Sequence, residues 1–589
     1  MSASGVRLGV DELRERGPRS SGVASTGDIK GGKGGVFYRA HSYHTKVPIE
    51  GLVRLIEHYT EPGDFIADPF CGSGQTGVAA ILTGRHAILS DLSPAAVHIA
   101  KGYTAKVSPD EYRAAIALLF ERLAPLEADL YGPTDRRIEY TVWSDIYACP
   151  TCETEISFWS AAVDHEAGTV QKTMSCTEGH GPFKKPELEW LRSVPVQQNI
   201  SDPNSRKRLV VDVKASDVDV RHGRSEISQW YPTSPWDEWR EMWRAQHQNM
   251  QVLTAADFYT DKNLTALTAL WDEIDNVSCG PEMKQALRFS FTSIANRASR
   301  RYQWHPTRPT NVLSSTMYIA ALNYEFNVFS LFRRKTSTIA KMYEQTFEAP
   351  GTCQVHQGSA TKLDWIPDSS LDYVFTDPPF GSNIFYGDSS FLWEAWLDDQ
   401  TDVAAETVVN KRLKEEHGHS TLDDYEKDMS LAMSEIARGL RTNGWVSLQF
   451  HNSDDAVWSR VQSAVESAAL KIDSAVVMDK GQASFKGLRH ESKGEKVANF
   501  DLVMHLERST GTTESGSRPV ADPAEVVAYL RRYVSNNPPS RRTTPWLHSQ
   551  VMRFLLEQDA NLDGWSFGAV EELCNDLFQR KGNAWQEKS

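Results

Sequence analysis

The sequence predicts an α/β protein: a doubly wound, mostly parallel sheet with an antiparallel closing hairpin, a large insertion and a small helical C-terminal domain. Three observations predict it. Asp64–Asp68, a glycine turn at Gly72–Gly74, a helix to about Thr83 and His86–Asp91 follow one another as strand, turn, helix and strand. That alternation stops for about 240 residues, then resumes with strands at Leu371–Asp377 and Trp445–His451. Lys471–Asp479 and Asp501–Glu507 then read as an antiparallel pair. One sheet whose two halves flank an insertion is the simplest topology.

The elements follow in order. Residues 1–36 are rich in Gly and Ser and read as a flexible N-terminal tail. Gly27-x4-Gly32-Lys33 imitates a phosphate loop, but Gly34 stands where Ser or Thr should bind magnesium. Residues 37–125 form the first half of the sheet unit. Leu52, Leu55, Ile56 and Tyr59 recur at helical spacing after Pro48, and Glu61-Pro62-Gly63 ends that helix. A further helix opens at Pro94. Residues 140–190 hold a cysteine cluster, and 191–345 an inserted helical region. Residues 346–508 form the second half, with a helix from about Asp455. Residues 509–522 are a linker by composition. Residues 523–589 are helical: Asp522-Pro523-Ala-Glu525 carries a capping Asp, Pro at the first position and Glu at the third. Thr544-Pro545 starts another helix, and Val570, Leu573, Cys574 and Leu577 line one face of a third.

Composition excludes several classes. No uninterrupted apolar run reaches about 18 residues, so no membrane helix is expected. The N-terminus lacks the apolar stretch of a secretory signal. Seven cysteines in 589 residues fit a reducing cytosol, which points to a cytoplasmic protein. Net charge is −15, yet residues 281–343 hold ten Lys/Arg against Glu282 and Glu325. A basic island in an acidic chain is a candidate polyanion footprint or a neutralised helix face. Within it, Arg297, Arg300, Arg301, Trp304 and Arg308 interleave cations with an aromatic, as phosphate contact plus base stacking requires.

Three constellations carry chemistry. In Asp68-Pro69-Phe70-Cys71-Gly72-Ser73-Gly74 the glycines allow close backbone approach to a ligand, and Asp91 is placed to bind ribose hydroxyls. In Asp377-Pro378-Pro379-Phe380 a stiff turn fixes a carboxylate and carbonyls that can accept hydrogen bonds from an exocyclic amine. Its aromatic can stack on a flipped base. Cys149-x2-Cys152 and Cys176-x3-His180, separated by 23 residues, have zinc-ribbon spacing, giving one closed tetrahedral Zn2+ site. After the Asp377 turn, the aromatics of 383–396 are candidates for a base pocket, with Phe391, Trp393 and Trp396 equally suited to a core.

The first two constellations, with Tyr43-His-Thr45-Lys46-Val-Pro48, resemble the amino-methyltransferases, which use S-adenosyl-L-methionine (SAM) to methylate adenine N6 or cytosine N4 in DNA. The resemblance covers about residues 40–105 and 346–508. It implies a Rossmann-like methyltransferase sheet. It implies that the glycine turn binds the methionine moiety, that Asp91 binds ribose and that Asp377 holds the target amine. It implies that Thr45 and Lys46 lie in a segment closing over the cofactor. The acid usual before the Asp-Pro-Pro strand is replaced, leaving Ser359 or Asp364 against the cofactor adenine. The Asp-Pro-Pro form leans to adenine N6. The same resemblance assigns target recognition to the insertion, DNA as partner, and a restriction–modification or phage-defence setting with partner subunits. Two other readings compete. RNA guanine-N2 methyltransferases share a similar glycine turn and an Asp-Pro-Pro-aromatic-Gly motif, but usually have an N-terminal RNA-binding domain. A catalytically silent, zinc-bearing nucleic-acid-binding subunit would not need Asp377 with Gly72 and Gly74. No Pro-Cys pair occurs, which excludes cytosine C5 chemistry.

Overall fold

A computed structural model gives the arrangement of residues 24–25, 27–30, 32, 34–201, 208–214, 223–307, 312, 316–479, 501–508 and 518–588. Its main sheet has eight strands: β1 (Ile29–Lys30), β2 (Phe65–Asp68), β3 (His86–Asp91), β4 (Thr352–Gln357), β5 (Leu371–Thr376), β6 (Leu440–Phe450), β7 (Leu470–Asp479) and β8 (Asp501–Arg508). Their spatial order is β1-β7-β8-β6-β5-β2-β3-β4. Strands β4, β3, β2, β5 and β6 are parallel, and β8 runs antiparallel to both β6 and β7. The order reverses between β2 and β5. In such sheets ligands bind at the carboxyl ends of the strands beside the switch point.

Both faces of the sheet are covered. Helix α1 (Ile49–Tyr59) buries the predicted stripe Leu52, Leu55, Ile56 and Tyr59 on one face, with Ile66, Phe375 and Val503. Helix α2 (Gln75–Leu82) follows the glycine turn, and α3 (Pro94–Thr104) opens on a Ser93 cap with Pro94 first. Helices α4 (Tyr386–Leu397), α5 (Leu422–Gly439) and α6 (Asp455–Ser467) complete the unit. Met429, Met433, Ile436, Trp458 and Val461 of the last two share one apolar cluster with Leu448 and Leu506. Each such side chain contributes roughly 1.5–3 kcal/mol by burial. No helix among the described residues is long and apolar enough to cross a membrane.

Three parts differ from the sequence expectation. The tail expected over 1–36 contributes an edge strand: β1 pairs with Met478 and Asp479, and Ile29 is buried. The rest of that tail up to residue 23 lies outside the described residues. The insertion is built on a second sheet as well as helices: Leu209–Asp212, Glu189–Ile200, Ile138–Ala148 and Leu322–Phe326 are adjacent and antiparallel. Helices Asp261–Asn276 and Pro281–Ala298 continue this core onto α3, where Phe289 packs with Tyr103. The C-terminal segment has the three predicted helices, Pro523–Asn536, Thr544–Glu557 and Phe567–Leu577, and adds the hairpin Phe578–Lys581/Ala584–Glu587. It shares one hydrophobic cluster with α5 and α6. Residues 509–517 of the expected linker lie outside the described residues. Arg518 pairs with Glu466 and Asp559.

Candidate functional site

A cavity lies at the carboxyl ends of β2, β3 and β5. One wall is the first turn: Asp68, Pro69, Phe70, Gly72 and Asp91. Gly72 and Gly74 have φ of +48° and +75°. A Cβ on Gly72 would lie 2.9 Å from the Tyr43 ring, and one on Gly74 2.7 Å from the Cα of Ala100. The turn therefore needs glycine both for its left-handed backbone and for space. Asp91 accepts from the Gly72 N–H at 2.8 Å and the Ser93 N–H at 2.9 Å, which ties the turn to the end of β3. Asp68 accepts from the Thr76 hydroxyl at 2.6 Å and the Phe70 N–H at 3.3 Å. Burial pushes the Asp68 carboxyl up to about 7 and that of Asp91 up to about 6, against the pull of those hydrogen bonds.

The opposite wall is formed by Asp377, Pro379, Tyr386 and the segment 401–408. The Asp-Pro-Pro-Phe turn is held by its carbonyls: Tyr425 Oη donates to Pro379 O at 2.8 Å, and Asn452 Nδ2 to Phe380 O at 3.1 Å. These anchors leave Asp377 and Pro379 facing the cavity. Pro378 is buried beside them. Phe380 is 8% exposed, its ring edge-on to Phe450 and against His451, so it sits in the core beneath the turn and not in the wall. The expected stacking surface is therefore not offered by Phe380; the aromatics in the wall are Tyr43, Phe70, Phe375 and Tyr386.

The segment before α1 closes a third side. Thr45 lines the cavity. Lys46 does not: its Nζ donates to Tyr38 O at 2.7 Å, to His41 O and to Tyr103 Oη at 3.0 Å, pinning the segment from below. His44 Nε2 meets Ser390 Oγ at 3.0 Å, and burial holds its imidazole down at about 3, hence neutral. Ser359 is in the wall, whereas Asp364 is a surface residue paired with Lys362 at 3.3 Å. Between the two readings left open by the sequence, position favours Ser359.

Several wall residues were not singled out by sequence reasoning. Tyr43 and Tyr386 belong to stretches already marked, so neighbourhood was their signal; Phe391, Trp393 and Trp396 take the core alternative. Glu394 accepts from Ser93 Oγ at 2.7 Å and Thr401 Oγ1 at 2.6 Å, tying β3 to the 401–408 segment. Glu406 had no motif to mark it.

The cysteine cluster closes as spaced. Cys149, Cys152, Cys176 and His180 present donor atoms all within 4.8 Å of one another. Cys152 Sγ is 3.8 Å from Cys176 Sγ, and His180 Nδ1 is 3.3 Å from Cys152 Sγ and 3.4 Å from Cys176 Sγ. Tetrahedral zinc with bonds of about 2.3 Å to sulfur and 2.0 Å to nitrogen spaces its donors at roughly these distances. No disulfide could hold sulfurs so far apart.

Two members of the basic cluster, Arg301 and Trp304, are buried, which corrects the sequence expectation for them, while Arg297 and Arg300 are half-buried. Arg301 is 6% exposed and donates to Asn296 Oδ1 at 2.9 Å and Thr316 O at 2.6 Å. Arg300 donates to Asp257 O and Ser193 Oγ, with Asp145 and Asp257 nearby. Arg297 lies over the Tyr302 and Phe326 rings, and Trp304 is buried against Trp159. These side chains pack within the insertion, and Arg301 and Trp304 have little surface to offer a phosphate. Arg308 lies outside the described residues.

Comparison with known proteins bears on the first wall. The DNA methylase family matches residues 20–102. A relative from Escherichia coli (strain K12), "Putative methylase YubD", is 44% identical over 52 residues, 9% of this chain. The chain spans 23% of that relative's length. Among solved structures, geranyl diphosphate methyltransferase in complex with SAM is 7% identical at a TM-score of 0.16, covering 29% of this chain and 62% of that one. The antibiotic-resistance methyltransferase Kmr is 13% identical at 0.15, covering 29% and 72%. The main sheet itself is mostly parallel with an antiparallel closing hairpin, as the sequence predicts. The stretch of residues 20–102 that matches the DNA methylase family holds the glycine turn, Asp68 and Asp91.

Proposed function

We propose that this protein transfers a methyl group from SAM to the exocyclic amine of a base in DNA, with adenine N6 ahead of cytosine N4. One observation carries the reading: a single cavity brings the Gly72–Asp91 turn against Asp377, about 300 residues away in sequence. Buried carboxyls at Asp68 and Asp91 beside a glycine cradle suit a ligand with a cationic amino-acid end and a ribose. Bound there, SAM supplies the electrophilic methyl group. Asp377 accepts a hydrogen bond from the target amine and orients its lone pair; positioning of this kind is the main requirement of direct transfer. Tyr425 and Asn452 hold the backbone of the turn that carries Asp377. The adenine preference rests on the resemblance of the Asp-Pro-Pro form. We propose further that Cys149, Cys152, Cys176 and His180 hold one structural zinc.

Asp377→Ala tests the reading. DNA from a host expressing the wild-type chain is expected to contain N6-methyladenine by nucleoside mass spectrometry, and DNA from a host expressing the variant none. The variant should keep SAM affinity within about threefold, because removing one transition-state contact leaves ground-state cofactor binding intact. Near wild-type methylation by Asp377→Ala would defeat the assignment.

A further inference from the structure

Glu406 is a buried carboxyl in the cavity wall to which the reading above gives no task. It lines the same cavity as Asp377 and is 7% exposed. Its Oε1 accepts from the Gly387 N–H at the start of α4. Its Oε2 is buried and has no hydrogen-bond partner among the described residues. A buried polar atom without a partner is costly and calls for an explanation. The two oxygens are thus distinguished: Oε1 is fixed as an acceptor, so in the neutral acid the proton sits on Oε2.

We propose that Glu406 is a specificity-determining residue that donates from Oε2 to the ring nitrogen beside the target amine, N1 of adenine or N3 of cytosine. This rests on the amino-methyltransferase reading. Adenine and cytosine both present an amine donor next to a ring-nitrogen acceptor. Asp377 takes the donor and Glu406 the acceptor, so the pair reads that edge as a unit. Guanine presents an N1–H donor beside its amine, and a carboxylic O–H would face it donor to donor. The site therefore selects against guanine N2.

The surroundings support a neutral acid. Tyr386, Asp388 and Glu394 of α4, Asp91 at the end of β3 and Asp377 at the end of β5 are the titratable groups about it. The guanidinium of Arg240 is taken up by Asp388 at 3.2 Å. Burial, with Asp388, Glu394 and Asp91 acting in the same direction, pushes the Glu406 carboxyl up to about 8.

The test compares the wild-type chain with E406Q and E406A on unmethylated genomic DNA, measuring methyl transfer, product nucleosides, SAM affinity by calorimetry and melting temperature. Glutamine keeps a donor and an acceptor; alanine keeps neither. E406A should lose about thirtyfold or more in kcat/KM for DNA while binding SAM within about threefold of wild type. E406Q should stay within about fivefold at pH 7. As pH rises past about 8, kcat/KM should fall in the wild type, where the donor is lost, and stay level in E406Q. Three outcomes overturn the proposal: full transfer by E406A, loss of SAM affinity in E406A, or a folded, SAM-binding E406Q as inactive as E406A. If E406A does not fold, the E406Q and wild-type pH profiles decide alone. A wild-type chain that methylates no DNA defeats the parent reading itself, a result separate from any behaviour of the variants.

Discussion

At Asp68 a carboxyl is enclosed and held at about 7, a value with a measurable consequence. A cationic ligand end favours its ionised form. Below pH 7 a proton must leave on binding, and above it none does. SAM affinity is therefore expected to be level above about pH 7 and to fall by up to about tenfold per unit below it, with Asp91 adding to the fall below about pH 6. Calorimetry across that range checks this, and a level affinity throughout would take Asp68 out of the site. Arg301 makes the opposite kind of prediction. Its guanidinium is buried on Asn296 and Thr316, so Arg301→Ala leaves those partners unpaired and should cost about 2–4 kcal/mol of stability. Thermal unfolding should register the change, and the salt dependence of DNA binding should not. The interleaved arginines were legible in the sequence as a pattern but not as a location. Charge spacing along a chain does not say whether acceptors wait on another strand.

Among the elements, the strand Ile138–Ala148 runs directly into Cys149 and pairs with Glu189–Ile200 along its length. The cluster of Cys149, Cys152, Cys176 and His180 is thus a knuckle at one end of a sheet held by its own ladder. Cys176→Ser should lose zinc, whose binding energy in such sites is on the order of 10 kcal/mol. Protease cleavage should then concentrate in 149–184 while the two long strands persist. Metal analysis finding no zinc in the wild-type chain would reject the site. The Cys-x2-Cys and Cys-x3-His spacing was readable because both pairs are local. The sheet that supports them was not, because Leu322–Phe326 joins Ile138–Ala148 from nearly 180 residues away and neither segment alone shows a turn signal to a partner.

For the molecule as a whole, the C-terminal helices act as part of the main fold. Val526, Leu530, Trp546, Leu547 and Val551 share a cluster with Trp458 and Val461 of α6. Removing residues 518–589 should uncover that face, costing on the order of 5 kcal/mol or more and producing aggregation or a lowered Tm in differential scanning calorimetry. Composition suggested a separate unit behind a linker, since a Ser/Gly/Thr run says nothing about what the helices beyond it touch. By itself the sequence determined the alternation of strands and helices, the glycine turn, the Asp-Pro-Pro turn and the Cys/His spacing. Each is written within one or two dozen residues, where backbone conformation and periodicity act. Tertiary structure alone decided that Asp91 and Asp377 share a cavity, that Phe380 turns into the core, that Lys46 braces a segment from below and that Glu406 enters the wall. Those outcomes depend on which surfaces meet across hundreds of residues, and burial and hydrogen bonding there are properties of the meeting.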